Sequence, residues 1–275
     1  LRFSGPALSG LYEELKNFKP AEIFTNNEII HLRDKITLDN VSFNYKNSSN
    51  LIIENLSVNI RARSAVAVVG PTGCGKTTLI DLILGLLEPT SGKIAIDGLE
   101  LSDVNKQNWQ RSIGYVSQHI YLADKTIAEN IAFGVPFADI DANSLERAAT
   151  IANVHHFIVE NLEDGYNTMV GERGVRLSGG QRQRIGIARA LYHSPDVLVF
   201  DEATSALDVD TEKIVMDAIE HLKNKITIIV ISHRLKTVSN LDKIIFFSSE
   251  GGVDCGTYDQ LKNRNIRFKA LCELS

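Results

Sequence analysis

Cysteine is scarce in this chain, and the three present, Cys74, Cys255 and Cys272, are scattered. That excludes a disulfide framework or a cysteine-based zinc site and favours a reducing compartment. No apolar run approaches the roughly 18 residues that suggest a membrane span. Ile226–Ile231 and Ile244–Phe247, the longest candidates, are strand-length. No signal peptide is visible. The balance of charge is not basic: net −5 gives no general footprint for nucleic acid. There is no internal repeat and no low-complexity tract. What remains is ordinary globular composition, 44% apolar and 23% charged, in 275 residues. That length supports a sizeable core. The first residue is Leu1 rather than Met, as in a piece cut from a longer protein.

Residues 1–34 differ from the rest. Leu8, Leu11, Leu15 and Phe18 recur at helical spacing, and Pro20 ends that pattern. The segment is expected to be a linker carrying the end of an upstream helix. From Ile36 to Tyr45 the pattern is strand-like, with one register shift near Asp39-Asn40. Val58 and Ile60 alternate in the same way. Ala65–Val69 is continuously apolar, as a buried parallel strand should be. It runs into a glycine loop, and Thr77–Leu87 continues with helical periodicity. Strands are expected at Lys93–Ile96, before an Asp97-Gly98 turn, and at Ile113–Val116, Val197–Phe200, Thr227–Ile231 and Ile244–Phe247. Asp141–Lys223 is mostly helical. Alternating strands and helices indicate an α/β sandwich. The stretch of about 123–177 has the look of an inserted helical subdomain.

Gly70-Pro71-Thr72-Gly73-Cys74-Gly75-Lys76-Thr77 fits G-x-x-x-x-G-K-[ST], a phosphate-binding loop. The strand before it and the helix after it are the context that loop requires. Glycines let backbone N–H groups approach oxygen and permit positive φ. The helix directs its amides and dipole at the anion. Lys76 supplies a point charge for the β- and γ-phosphates, and Thr77 a hydroxyl for Mg²⁺. Cys74 is a small residue that fits the turn. Val197–Phe200 ends in Asp201, a carboxylate placed to hold Mg²⁺, and Glu202 follows at the strand's carboxyl edge. A carboxylate there can orient and deprotonate an attacking water.

Leu177-Ser178-Gly179-Gly180-Gln181 means little alone, but with the phosphate loop it resembles the signature of ABC transporter nucleotide-binding domains. Ser178 is a good N-cap for a helix over Gln181–Leu191. The resemblance runs from about Lys35 to the C-terminus. It implies a P-loop NTPase core of the RecA-like kind, with an antiparallel β subdomain and an inserted α-helical subdomain. ATP and Mg²⁺ are the implied cofactors. Tyr45 resembles the aromatic residue that stacks on adenine. Gly70 to Thr77 and Thr78 would hold the phosphates. Gln118 resembles the glutamine that senses γ-phosphate and Mg²⁺, and His233 the switch histidine. Glu202, His233 and Gln118 form the implied catalytic set; Thr77, Gln118 and Asp201 form the implied Mg²⁺ set. Ser178, Gly179, Gly180 and Gln181 would close over the nucleotide of a second copy. Asp208, in Ser205-Ala206-Leu207-Asp208, resembles part of the loop that crosses the same interface.

Thr126–Ile131 and Gly171–Gly174 resemble stretches that meet coupling helices in exporter-type members. Glu163, where proline is frequent, and Tyr258, where histidine is frequent, depart from the commonest exporter pattern. The implied protein is an ATP-hydrolysing exporter module. It would work as a head-to-tail dimer beside a transmembrane domain of the same polypeptide, on the cytoplasmic face of the inner (plasma) membrane, this fragment itself being soluble. No nucleic-acid partner is expected. The composition around Gln118–Gly134 resembles lipid or lipid-linked-oligosaccharide flippases, with peptide and drug export as competing substrates. A DNA-repair ATPase would carry a long coiled coil between Gly70 and Leu177, and a translation-associated member two such domains. A GTPase would need N-K-x-D, whereas Asn224-Lys225 is followed by Ile226-Thr227. His155-His156 lacks a ligand partner at metal spacing. Trp109 packs or lies on the surface. Arg182 and Arg184 pair with acids or join an interface.

Overall fold

The computed structural model describes residues 28–46, 51–201, 209–232, 235–248 and 252–274, together with Gly10 and Tyr12. The proposed upstream helix lies largely outside the described residues, as do Glu202, Asp208 and His233.

Two sheets enclose the phosphate-loop helix. The first is antiparallel, with β1 (Lys35–Phe43), β2 (Ile53–Arg61), β4 (Ser91–Ile96) and β5 (Leu99–Glu100) in the order β2-β1-β4-β5. The second holds β3 (Ala65–Val69), β6 (Ile113–Val116), β7 (Val197–Asp201), β8 (Thr227–Ile231), β9 (Lys243–Phe247) and β10 (Val253–Gly256) in the order β10-β9-β3-β8-β7-β6. Its pairs are parallel except β10 with β9. The period of two along a strand divides this sheet between two cores. Val66, Val68, Val199, Ile229 and Phe247 face α1 (Lys76–Ile83) and the antiparallel sheet. Ala67, Val69, Phe200, Val230 and Phe246 face the opposite layer of helices. Both faces are covered, which is why these strands are apolar throughout.

The covering helices include α3 (Ile127–Ile131), α4 (Ala142–Ile151), α5 (His155–Asn161) and α6 (Gly179–Leu191). Ile127, Ala148, Ile158 and Val170 join the same apolar cluster as Ala67 and Phe200, so the 123–177 stretch shares its core with the sheet. Asn130, fully buried on α3, bonds to both backbone groups of Ala123 and to Thr126 O. Arg189 on α6 donates to Asn130 O at 2.7 Å and Tyr121 O at 2.8 Å, tying the segment after Gln118 to α6.

Two local expectations change, and the two alternatives for Trp109 resolve to packing. The helix expected over Thr77–Leu87 stops at Ile83. Gly85 takes φ 67°, Gly85 N–H donates to Leu82 O and Leu86 N–H to Asp81 O, the pattern of a left-handed glycine stop. Trp109, on α2 (Lys106–Gln110), is wholly buried and donates its indole N–H to Ile83 O at 2.7 Å. A buried indole needs such a partner. The β1–β2 pairing shifts twice, between Leu38 and Val41 and again between Val41 and Phe43, and β1 ends at Phe43. Gly92 accommodates the irregularity: a Cβ there would lie 2.3 Å from Asn40 O.

Residues 31–35 are fastened to the domain. Asp97 accepts the backbone N–H groups of Arg33, Asp34 and Lys35 at 2.7, 2.9 and 2.8 Å. Asp196, next to β7, accepts Leu32 N–H at 3.2 Å and bonds His31 Nδ1 at 2.8 Å.

Candidate functional site: a phosphate loop and an exposed helix start

The carboxyl ends of β3, β7 and β8 lie together, since Val68 and Asp201 both register with Ile231. This edge is where open α/β sheets bind ligands. The loop Gly70–Gly75 leaves β3 here, and Gly75, at φ 103°, precedes α1 with no side chain capping it. The first amides of α1 therefore lack the satisfaction that Thr126, Asp141, Ser178 and Thr257 give their own helices.

Lys76 is 5% exposed, and its ammonium donates to Gly70 O at 3.1 Å and Pro71 O at 2.8 Å. Among the described residues no carboxylate forms an ion pair with it. Among the described residues this buried cation is held by neutral carbonyls alone, and an anion in the loop would balance it. The glycines differ in task. At Gly70 a Cβ would strike Phe247 O at 2.5 Å, and at Gly75 it would strike Ile52 Cγ2 at 2.8 Å. Their missing side chains make room for protein. Gly73, at φ 78°, has open space beside it. Pro71 and Thr72 are exposed on the loop, and Cys74 is half-buried, with its thiol pushed up by burial.

Thr77 is exposed and Thr78 buried. The Tyr45 hydroxyl lies 3.3 Å from Thr78 Oγ1, and the Tyr45 ring stands edge-on to Phe43 at 5.0 Å. Tyr45 is nonetheless 45% exposed beside α1, so part of its ring is open to a ligand.

Asp201 ends β7, half-buried, and its Oδ2 accepts the Tyr115 hydroxyl at 2.5 Å. Tyr115 is the site residue that sequence reasoning missed. Its alternation in Ile113–Val116 indicates only which face it occupies. Burial, together with the bond to Asp201 and its charge, pushes the Tyr115 phenol well above its ordinary value. Asp81 on α1 has its carboxyl raised by burial and by the charge of Asp201. A Thr hydroxyl and an Asp carboxylate are hard oxygen donors, the chemistry that suits Mg²⁺. Gln118 follows β6, half-buried.

Ser178 caps α6 through a reciprocal pair. Its Oγ accepts Gln181 N–H at 3.2 Å, and Gln181 Oε1 accepts Ser178 N–H at 2.8 Å. A hydroxyl that accepts this way still has its own O–H to donate. Ser178 and Gly179 are exposed, with Gly180 half-buried behind them. Arg182 and Arg184 bond the carbonyls of Leu177 and Asn153. Both therefore have carbonyl partners. The apolar residues of α6 pack on one face of the parallel sheet and those of α1 on the other. His155 bonds the Tyr166 hydroxyl at 2.9 Å.

A profile described as ABC transporter matches residues 53–205. The chain is 42% identical over 250 residues to the Rhizobium etli protein named beta-(1→2)glucan export ATP-binding/permease protein NdvA, covering 91% of this chain and 42% of that protein. It is 41% identical over 240 residues to the ATP-dependent lipid A-core flippase of Ralstonia nicotianae, covering 87% of this chain and 40% of that protein. A solved bacterial Atm1-family ABC exporter with ATP bound matches with TM-score 0.83 at 33% identity, over 99% of this chain and 47% of that one. The chain thus spans about two-fifths of the length of these curated relatives. A DNA-repair or translation ATPase finds no support among them. Among the described residues no helix is long and apolar enough to cross a membrane. The chain belongs to the ABC transporter family, and within it this is a nucleotide-binding ATPase domain of the exporter type.

Proposed function

We propose that this domain hydrolyses ATP–Mg²⁺ at sites shared by two copies arranged head to tail, and so drives export through a membrane part of the same polypeptide. The observation that carries the reading is the buried Lys76 ammonium beside an uncapped α1, at the sheet edge that also holds Asp201. The loop amides and Lys76 bind the β- and γ-phosphates, and Tyr45 stacks on the base. Thr77 and Asp201, with Gln118, hold Mg²⁺, which supplies charge neutralisation of the phosphates when bound. Glu202 takes a proton from the attacking water as its oxygen bonds to the γ-phosphorus and the bond to the β-γ bridging oxygen breaks. His233 steadies the γ-phosphate. Ser178, Gly179 and Gly180 of one copy, with Gln181 behind them and Asp208 nearby, cover the nucleotide held by the other. Positioning and electrostatics carry most of this catalysis.

The exposed α6 start supports the shared site, because its donors face away from the domain's own core. Residues 1–34 link to the membrane part, and the domain works at the cytoplasmic face of the plasma (inner) membrane. Relatives named for glucan and for lipid A-core stand at 42% and 41% identity, which supports cargo selection by the membrane part rather than by this domain. A lipid or lipid-linked sugar fits those relatives.

Glu202→Gln tests the chemistry, since it removes the base and keeps size and polarity. Steady-state phosphate release should fall about 10²–10⁴-fold, with ATP binding retained. Near-parental turnover would remove Glu202 from the role.

A further inference from the structure

β6 is the edge strand of the parallel sheet, and its tyrosine reaches the site from that edge. Tyr115 registers with Val199, and Asp201 lies two residues further along β7 on the same face. The phenol spans that diagonal to Asp201 Oδ2. Tyr115 is 43% exposed, so its ring contributes less burial than a core aromatic would. Its hydroxyl is the part that meets the site.

We propose that Tyr115 is a positioning residue for the metal: by engaging Oδ2 it fixes the Asp201 carboxylate and leaves Oδ1 as the oxygen available to Mg²⁺ or its water. This rests on the reading that Asp201 serves Mg²⁺. Three features support a role beyond packing. The contact is short and charge-assisted, hence strongly directional. Asp81 on α1 interacts electrostatically with both groups, so a like charge stands beside Asp201. Moreover, Tyr115 and Asp201 sit on adjacent paired strands, which makes their separation stiff. Hydrogen-bond partners of metal-binding groups commonly set metal affinity in this way.

The test uses Tyr115→Phe, which removes one oxygen and keeps the ring. ATP binding is measured by calorimetry in the Glu202→Gln background, first in EDTA and then across a Mg²⁺ titration. Mn²⁺ spin resonance with ATP reports the metal directly. Asp201→Asn is run alongside. Metal-free ATP affinity should stay within about two-fold of the parent, while the Mg²⁺ concentration for half-maximal enhancement rises about ten-fold. The protein-bound Mn²⁺ signal should weaken in parallel. If Asp201→Asn shifts the Mg²⁺ requirement and Tyr115→Phe does not, the positioning role is wrong and the metal reading stands. If neither shifts it, the metal reading fails and the proposal with it. A Tyr115→Phe protein with lowered melting temperature and lowered metal-free ATP affinity, but parental Mg²⁺ dependence, would make the tyrosine merely structural and overturn the proposal.

Discussion

In the proposed shared site Ser178 has two tasks, and one substitution separates them. Its Oγ caps α6, while in the proposed shared site its O–H donates to a phosphate held by a second copy. Ser178→Asp keeps the cap, because aspartate is as good an N-cap as serine and suits the helix dipole. Stability should therefore stay within about 0.5 kcal/mol of the parent, whereas Ser178→Ala should lose about 1 kcal/mol. Dimerisation should respond in the opposite sense. A carboxylate about 4 Å from a phosphate charge costs about 4 kcal/mol per unit charge at an effective dielectric near 20. Salt removes part of this. With half remaining at each of two sites, about 4 kcal/mol opposes association, or about 10³-fold. The assay is light scattering of Glu202→Gln protein with ATP–Mg²⁺, with urea unfolding of the same variants. The Asp variant should be as stable as the parent and stay monomeric at millimolar ATP. If it dimerised as readily as the parent, the shared-site reasoning would collapse.

Lys76→Ala should weaken ATP binding about ten-fold or more, since a charged donor to phosphate is lost; unchanged affinity by calorimetry would remove Lys76 from the phosphate site. Tyr45→Ala should cost roughly 1–3 kcal/mol of nucleotide affinity. Tyr45→Phe, losing only the long contact to Thr78, should stay within about three-fold; equal losses in both variants would show that the hydroxyl, not the ring, does the binding. Asp81→Asn should stabilise the nucleotide-free domain at neutral pH. The folded state holds Asp81's pKa above its ordinary 3.8, so ionisation is a cost that appears as pH rises through the carboxylate range and vanishes below it. The gap in melting temperature between variant and parent should accordingly open from pH 3 to 7, and a gap constant across that range would contradict the cause.

The sequence by itself determined what depends on neighbours within a turn or a strand. The Gly70–Thr77 spacing, the apolar run into Asp201 and the Ser178 cap each involve residues a few positions apart, so local chemistry makes them legible. The same rule exposes an oversight: Thr126 and Glu129 satisfy the spacing of a reciprocal cap and form one. Tertiary structure decided whatever joins distant segments. The end of α1 at Ile83 comes with a buried Trp109 indole on its last carbonyl. Asp97 and Asp196 fasten residues 31–35 across long stretches of chain. Arg189 reaches Asn130 because α3 and α6 pack in one layer. Tyr115 meets Asp201 only because β6 joins β7 in one register; a slip by one residue would turn its hydroxyl to the opposite face of the sheet. Alternation placed that tyrosine on a face, but pairing across the sheet chose its partner, and no pattern within either strand carries that information.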